Sequence, residues 1–471
     1  MAPFPPNRVD NLVGEMLERA IRAHHARRLR RHGSSDAVDP AADGWSTTAA
    51  FAPRPGCRVE PFVDGSEALP RIADAIRSAR SHVHLAGWHF DPTFRLEDGG
   101  PTLRELLAEA AERVDVRVLA WAGAPLPLFH PDRREVRETS DELAEGTRIS
   151  LALDARERPM HCHHEKLVVV DDETAFVGGI DLTSLSGDRL DSSEHPPRGD
   201  IGWHDTALRL EGPVVADVAR HFLVRWHATA GDGLPPVSEP APVADGVEAQ
   251  FVRTLPERLY EPGREGEWSI LESYLRALRA AERLVYLESQ FLWSPEITFV
   301  LADKLRRPPS ADFRVIALLP ARPNNGADDS RGQVGLLIEA DKESGGTTRF
   351  LACTLYQPGP GGKPVYVHSK AAVVDDKWLT IGSANLNEHS LFNDTELNVV
   401  TCDEELARAT RLQLWREHLR RDDVDGPAHV VVDELWRPAA DDRHGRLRRL
   451  PGVSRRSRVL FGPLNGLVVD G

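Results

Sequence analysis

Cysteine is scarce. Cys57, Cys162, Cys353 and Cys402 are the only four in 471 residues, and none forms a CxxC pair. That spacing excludes a disulfide framework and a cysteine zinc site, and reads as reduced thiols in a cytoplasmic chain. No window approaches 18 apolar residues, so no membrane-spanning helix is expected. The N-terminal MAPFPPNRVDNLVGEM lacks a charged-then-apolar leader, so secretion by a standard signal peptide is not expected either. Positive charge is in deficit: 73 acids against 58 bases give a formal net charge of −15. Such a surface repels polyphosphate and argues against a nucleic-acid partner. Lysine is scarcest among the charged residues. There are six, Lys166, Lys304, Lys342, Lys363, Lys370 and Lys377, against 52 arginines. A chain that writes Arg for generic positive charge marks its few lysines as places where a compact ammonium is needed.

What is present suffices for a full core, with 41% hydrophobic and 28% charged residues over a length of two or three domains. Residues 10–32 have Leu12, Val13, Met16, Leu17, Ala20 and Ile21 at helical spacing and end in a dense basic run, RAIRAHHARRLRRHG. DGLPPVSEPAPVADGV, 232–247, holds four prolines and no apolar periodicity, so it reads as a linker. The flanking stretches repeat one another. ALPRIADAIRSARSHVHLAGWHF and SILESYLRALRAAERLVYLESQF each run a helix into a strand, and matching Val83 with Val285 sets an offset of 202. The alternation of strands and helices predicts two similar α/β units with largely parallel strands. The expected organisation is an N-terminal basic helix and loop (1–50), a first domain (51–231), the linker (232–247), a second domain (248–436) and an irregular Arg-rich tail (437–471).

The chemistry concentrates late in each half. HCHHEKLVVVDDETAFVGGIDLT (161–183) and VHSKAAVVDDKWLTIGSANLNEHS (367–390) each carry His-x-Lys, four residues and an Asp: His164, Lys166, Asp171 and His368, Lys370, Asp375. A Gly-rich turn follows in each, with Gly178, Gly179 and Asp181 in one, and Gly382, Ser383 and Asn385 in the other. The offset, 204, agrees with that of the helix–strand pair. LVVV and AAVV read as buried strands, so each His and Lys share a face while the Asp points the other way and holds a turn. Glycines in the return strand let backbone N–H groups approach an anion. Two such units face to face would set two His and two Lys around one phosphate. A single His-x-Lys strand is usually surface decoration, whereas two copies at matching offsets are not.

This doubled pattern resembles the phospholipase D superfamily, over about residues 55–435. The resemblance implies two tandem phospholipase D-like α/β sandwich domains related by pseudo-twofold symmetry with one shared active site. It implies His164, Lys166, Asp171, His368, Lys370 and Asp375 as catalytic residues, with His164 as the nucleophile that becomes phosphohistidine and His368 as the acid. Lys166, Lys370, Asn385 and Ser383 would hold the phosphate. A downstream carboxylate would orient each histidine: Glu396 in the second half and, after an insertion near 186–200, Asp205 in the first. Asp181, standing where the second half has Asn385, is poorly suited to touch a phosphate. The substrate implied is a phospholipid, hydrolysed to phosphatidic acid or transferred to another alcohol. A cardiolipin-synthase-type transferase is the alternative, and a nuclease of the same family a weaker one. No cofactor is implied.

The neighbouring residues have blander readings. HCHH could suggest a metal cluster, but adjacent strand residues point to opposite faces, so no metal site is expected. Cys162 reads as core packing. Trp88, Trp203 and Trp293 read either as core or as the wall of an acyl groove. Gln290, at a strand end, is a candidate for binding. The basic helix reads equally as a contact for an anionic membrane at the inner face, a solvated helix, or an intramolecular cover.

Overall fold

A computed structural model describes residues 8–42, 44–126, 129–158, 161–185, 202–231, 233–261, 263–322, 329–345 and 348–453. The expected insertion near 186–200 and the last part of the tail lie outside the described residues. The first half comprises α1 (Arg8–Arg31), β1 (Arg54–Val63), α2 (Gly65–Ser78), β2 (His82–Gly87), α3 (Leu103–Ala111), β3 (Asp115–Trp121), α4 (Arg133–Ala144), β4 (Ser150–Asp154), β5 (Leu167–Val170), β6 (Thr174–Gly178), β7 (Gly202–His204), β8 (Thr206–Glu211) and α5 (Val214–Ala230). The second runs β9 (Val247–Leu255), β10 (Glu267–Trp268), α6 (Ser269–Ala280), β11 (Leu284–Glu288), α7 (Pro295–Arg306), β12 (Arg314–Leu318), α8 (Asp329–Glu343), β13 (Phe350–Tyr356), β14 (Pro364–Val367), β15 (Ala371–Val374), β16 (Trp378–Gly382), a π-turn at His389–Asn393, β17 (Glu396–Thr401) and α9 (Glu404–Leu419).

The strand order is the same twice. The first sheet reads β4-β3-β2-β5-β6-β8-β1. The second reads β13-β12-β11-β15-β16-β17-β9. Register agrees too: Val83 faces Val170, and Val285 faces Val374. The expectation of largely parallel strands is corrected. Within these two seven-stranded orders only β2-β3-β4 and β11-β12-β13 pair in parallel, where helices α3, α4, α7 and α8 make the crossovers. The other pairings are antiparallel because short turns join β5 to β6 and β15 to β16. Those turns are built alike. Asp171 and Asp172 have φ of 57° and 56°, Asp375 and Asp376 have 55° and 56°, and Glu173 N and Lys377 N donate back to Val170 O and Val374 O. Two consecutive positive φ values make a type I′ turn, and Asp tolerates them.

Strand alternation sorts the core. Leu167, Val169, Ala371 and Val373 face an inner cluster that holds Phe222 and Trp226 of α5 and Leu414 and Trp415 of α9. Val168 and Val170 face outward onto Ile72 of α2 and Leu103 of α3. Ala372 and Val374 do the same onto Leu271 of α6 and Leu301 of α7. The inner cluster draws on both halves, so burying it joins them.

Two terminal expectations change. Leu12, Val13 and Met16 of α1 are not its buried face: they stand exposed, at 59%, 38% and 63%. The helix docks through charge. His25 reaches Glu296 at 2.8 Å and Glu388 at 3.0 Å, and Arg28 reaches Glu257 at 2.7 Å and Asn393 at 2.7 Å. Buried carboxylates on the second half need cations more than that surface needs more apolar cover. The tail is also not irregular at its start. A short helix at Arg437–Asp441 leads to β18 (Leu447–Arg449), which pairs with β13.

Candidate active site

Each His-x-Lys segment leaves its own sheet and lies along a strand of the other half. His163 bridges in parallel to Thr395, and His164 N donates to Thr395 O at 3.0 Å. In the same way β14 pairs in parallel with β7, and His368 N donates to His204 O at 2.8 Å. The next residue along each neighbouring strand is a carboxylate. His164 Nδ1 therefore meets Glu396 Oε1 at 2.9 Å, and His368 Nδ1 meets Asp205 Oδ2 at 2.7 Å. The expected pairing within each half is thus corrected: the carboxylates are the two named, but each holds the histidine of the opposite half. Cross-half strand pairing, invisible along one chain, makes the exchange.

The residue between His and Lys points away and locks the segment. Glu165, fully buried, accepts from His221 Nε2 at 2.6 Å and from Arg225, both on α5. Burial alone pushes this carboxyl up, but Arg225 and His221 outweigh it and hold it at about 2. In the second half Ser369 Oγ meets Thr206 Oγ1 at 2.9 Å. Both lysines fold back alike: Lys166 Nζ donates to His164 O at 2.6 Å, and Lys370 Nζ to His368 O. Their further partners differ. Lys370 Nζ and Asn385 Nδ2 both donate to Gln290 Oε1, each at 3.2 Å. Lys166 Nζ pairs with Asp181 Oδ2 at 3.3 Å. Gln290 therefore joins the site, and Asp181 touches it as the partner of a lysine.

The carboxylates also differ in their surroundings. Glu396 accepts from Ser390 Oγ at 2.5 Å and from Ser383 Oγ. Burial pushes it up to about 8, against the pull of Lys166 and the two hydroxyls. Asp205 instead accepts from Thr206 N at 2.8 Å and faces Trp203 Nε1 at 3.4 Å. Gly179, which matches Ser383 in the repeat, has no side chain for a reason: a Cβ there would come within 2.1 Å of Asp205 Oδ1. Ser383, expected to hold phosphate, is corrected to a donor that positions Glu396. Asp171 and Asp375, expected among the catalytic residues, are corrected as well. Asp171 accepts from the backbone of Arg80, Ser81 and His82 at 2.7–3.0 Å, and Asp375 from Glu282, Arg283 and Leu284 at 2.7 Å. They clasp each turn to the start of the neighbouring strand, five residues and roughly 16 Å of extended chain beyond the lysine.

Other candidates sort by burial. Cys162 packs with Trp88 and Trp121 in a small core cluster. Trp203 is buried, with its ring centroid 5.0 Å from that of His368, whereas Trp293 is half-buried beside Phe291. Sequence reasoning missed the support behind Asp205. Its N donates to Asp64 Oδ1 at 3.0 Å, and Asp64 also meets His204 Nδ1 at 2.9 Å. Glu288 Oε2 and Oε1 then join His204 and His418 at 2.9 and 2.8 Å. Burial works against charge on His204, but Glu288 and Asp64 raise it well above the ordinary range. The signal was GWHDT, a histidine next to the site acid. Also missed was the meeting of His161 with His389 and Asp394.

Comparison with known proteins bears on the family and the fold. A family model described as cardiolipin synthase, PLD-like domain matches residues 329–417. The chain is 25% identical to phospholipase D A of Dictyostelium discoideum over 78% of its length and 36% of that protein's. It is 29% identical to cardiolipin synthase A of Pseudomonas fluorescens over 86% of its length and 74% of that protein's. A span of 86% necessarily takes in both motifs. The chain resembles members of the phospholipase D superfamily. It spans about a third of the Dictyostelium protein and half of bovine phospholipase D2, to which it is 26% identical. Its fold matches the crystal structure of phosphatidylserine synthase from Haemophilus influenzae with a TM-score of 0.58 at 13% identity, covering 83% of this chain and 96% of that one. The likeness to that structure speaks for the fold alone.

Proposed function

We propose that the chain is a phospholipase D-type phosphodiesterase that converts phospholipids to phosphatidic acid and transfers the phosphatidyl group to alcohols. The observation that carries this reading is the crossed pair of imidazoles. Each is gripped at Nδ1 by a carboxylate from the other half, which fixes the ring and assigns the chemistry to Nε2. In the first step His164 Nε2 attacks phosphorus, the P–O bond to the head group breaks, and His368, as imidazolium, gives its Nε2 proton to the departing alkoxide. In the second, neutral His368 takes a proton from water or an alcohol. Its oxygen attacks phosphorus, and the P–N bond to His164 breaks. Lys166, Lys370 and Asn385 balance charge on the non-bridging oxygens, and Gln290 aligns the last two. Asp205 and Glu396 set ring tautomer and orientation.

A phospholipid substrate fits the lipid enzymes named among the relatives, and the surface of α1 supports it. Leu12, Val13 and Met16 stand exposed beside a basic run, and Arg22 lies over the half-exposed Phe299, 3.4 Å from its centroid. An apolar edge ringed by arginine suits an anionic bilayer surface. The cardiolipin-synthase-type transfer is favoured by the family model and the Pseudomonas relative. Product analysis with phosphatidylcholine, phosphatidylglycerol and single-stranded DNA, each with and without ethanol, separates the readings. Phosphatidic acid, joined by phosphatidylethanol in a ratio independent of the departing head group, is expected. A ratio that follows the head group removes the covalent intermediate. Cardiolipin as the sole product from phosphatidylglycerol, with no turnover of phosphatidylcholine, selects the transferase.

A further inference from the structure

We propose that His161, His389 and Asp394 form a binding site for a divalent transition metal of zinc type, which staples the two halves together beside the active site. The ligands come from both halves: His161 precedes the first motif by three residues, His389 opens the π-turn, and Asp394 follows it. His161 Nδ1 lies 2.9 Å from His389 Nδ1 and 3.3 Å from Asp394 Oδ1, and His389 Nδ1 lies 3.8 Å from Asp394 Oδ2. Tetrahedral zinc with ligand bonds of about 2.0–2.1 Å needs edges of roughly 3.3 Å, so these separations bracket what an ion would draw together.

Hydrogen bonding alone leaves this cluster incomplete. Asp394 is fully buried, its Oδ1 accepts from Cys162 N at 3.0 Å, and its Oδ2 is a buried oxygen with no hydrogen-bond partner. An unsatisfied carboxylate oxygen facing two imidazole nitrogens is costly without a cation. The side chain of His161 is 17% exposed, which leaves an ion a way in and room for a water as fourth ligand. The two other convergent groups among the described residues are closed by direct bonds: His204 and His418 bond Glu288 at 2.9 and 2.8 Å in a wholly buried cluster, and Asp64 bonds His204 at 2.9 Å in the group that adds Glu417. The π-turn is explained at the same time. Its extra residue brings His389 round to Asp394, whose N donates to His389 O at 2.9 Å. Bound there, the ion holds the backbone around Cys162 and Thr395 that seats His164 on Glu396, and takes no part in phosphoryl transfer.

The test uses the full chain stripped with chelator and titrated with Co²⁺ as a spectroscopic probe, then with Zn²⁺ as competitor. One equivalent of Co²⁺ per chain with visible d–d bands, displaced by Zn²⁺, is expected, together with a rise in melting temperature on adding Zn²⁺. His161→Asn, at the partly exposed ligand, should fold normally and lose the bands and the thermal shift. Asp394→Asn should do the same where it folds. Absence of stoichiometric binding in the native sequence, or a His161→Asn protein that keeps both signals, overturns the proposal.

Discussion

The two halves of the site are built to one plan and finished differently. On one side Glu396 holds His164, takes two serine hydroxyls, and is pushed up to about 8 by burial. On the other, Asp205 holds His368 with a backbone N–H and an indole N–H, and a glycine stands where the first arrangement has its serine. The residue between His and Lys follows suit: an ionic lock through Glu165 to α5 in one motif, a hydroxyl pair through Ser369 in the other. Equal scaffolds thus give two imidazoles unequal electrostatic settings, as the nucleophile and acid of the proposed mechanism require.

The largest effect expected is loss of either imidazole. His164→Ala and His368→Ala should each lower kcat by roughly 10⁴-fold or more, measured on the folded fraction because each also strands a buried carboxylate. Phosphohistidine trapping distinguishes them: label should survive on His164 in a His368→Ala protein and never appear in the reverse case. Label on His368 would exchange the two roles. The ionic lock gives the next contrast. Glu165→Gln removes one of the two buried carboxylates on Arg225, leaving Asp154 at 2.9 Å, and should cost about 2–3 kcal/mol in denaturant unfolding, whereas Ser369→Ala should cost about 1 kcal/mol. Equal costs would erase this difference between the halves.

A finer test concerns pH. The folded pKa of Glu396 lies above its unfolded value, so the native chain binds the extra proton between about pH 4.5 and 8. This contribution to stability falls as pH rises through that window. Turnover should rise over the upper part of the same window, because ionised Glu396 accepts Nδ1–H and frees the Nε2 lone pair of His164. The limb belongs to the His164–Glu396 pair as a unit. Ser383→Ala removes a donor that favours the ionised form, so it should move the limb to higher pH. An unmoved limb would assign it elsewhere. The smallest effect is at α1. Burial lowers His25, but Glu296 and Glu388 outweigh it and raise it to about 9. Its contribution is complete below about pH 6.5 and lost as pH rises through 9, so amide protection in α1 should fall over that range while the sheets keep theirs. Uniform protection would detach His25 from helix docking.

Much of this was legible in the chain. The offset of 202–204 gave the repeat, and His-x-Lys with its Gly-rich turn gave the histidines, lysines and Asn385. Composition and spacing describe one chain running past itself, however, and the crossings of Glu396 to His164 and of Asp205 to His368 depend on Thr395 and His204, respectively, lending backbone to foreign strands. Ser383 looked like a phosphate ligand because the carboxylate it serves lies 13 residues on and across a sheet. Asp171 and Asp375 share the motif with catalytic residues for a folding reason, the type I′ turn and the strand starts it clasps. Helix α1 misled because its apolar stripe is outward while isolated charges, His25 and Arg28, do the docking. His161 looked like one of a run of histidines; its companions are more than 220 residues away.

The exchange of carboxylates makes catalysis a report on assembly. Neither half holds an oriented imidazole of its own, so a chain in which the two have parted is inert at both positions at once, with no partially active form between. Under the proposed function, folding intermediates would carry out no stray chemistry: a half-made molecule has the reagents but no geometry, and activity would begin only when the second half closes on the first.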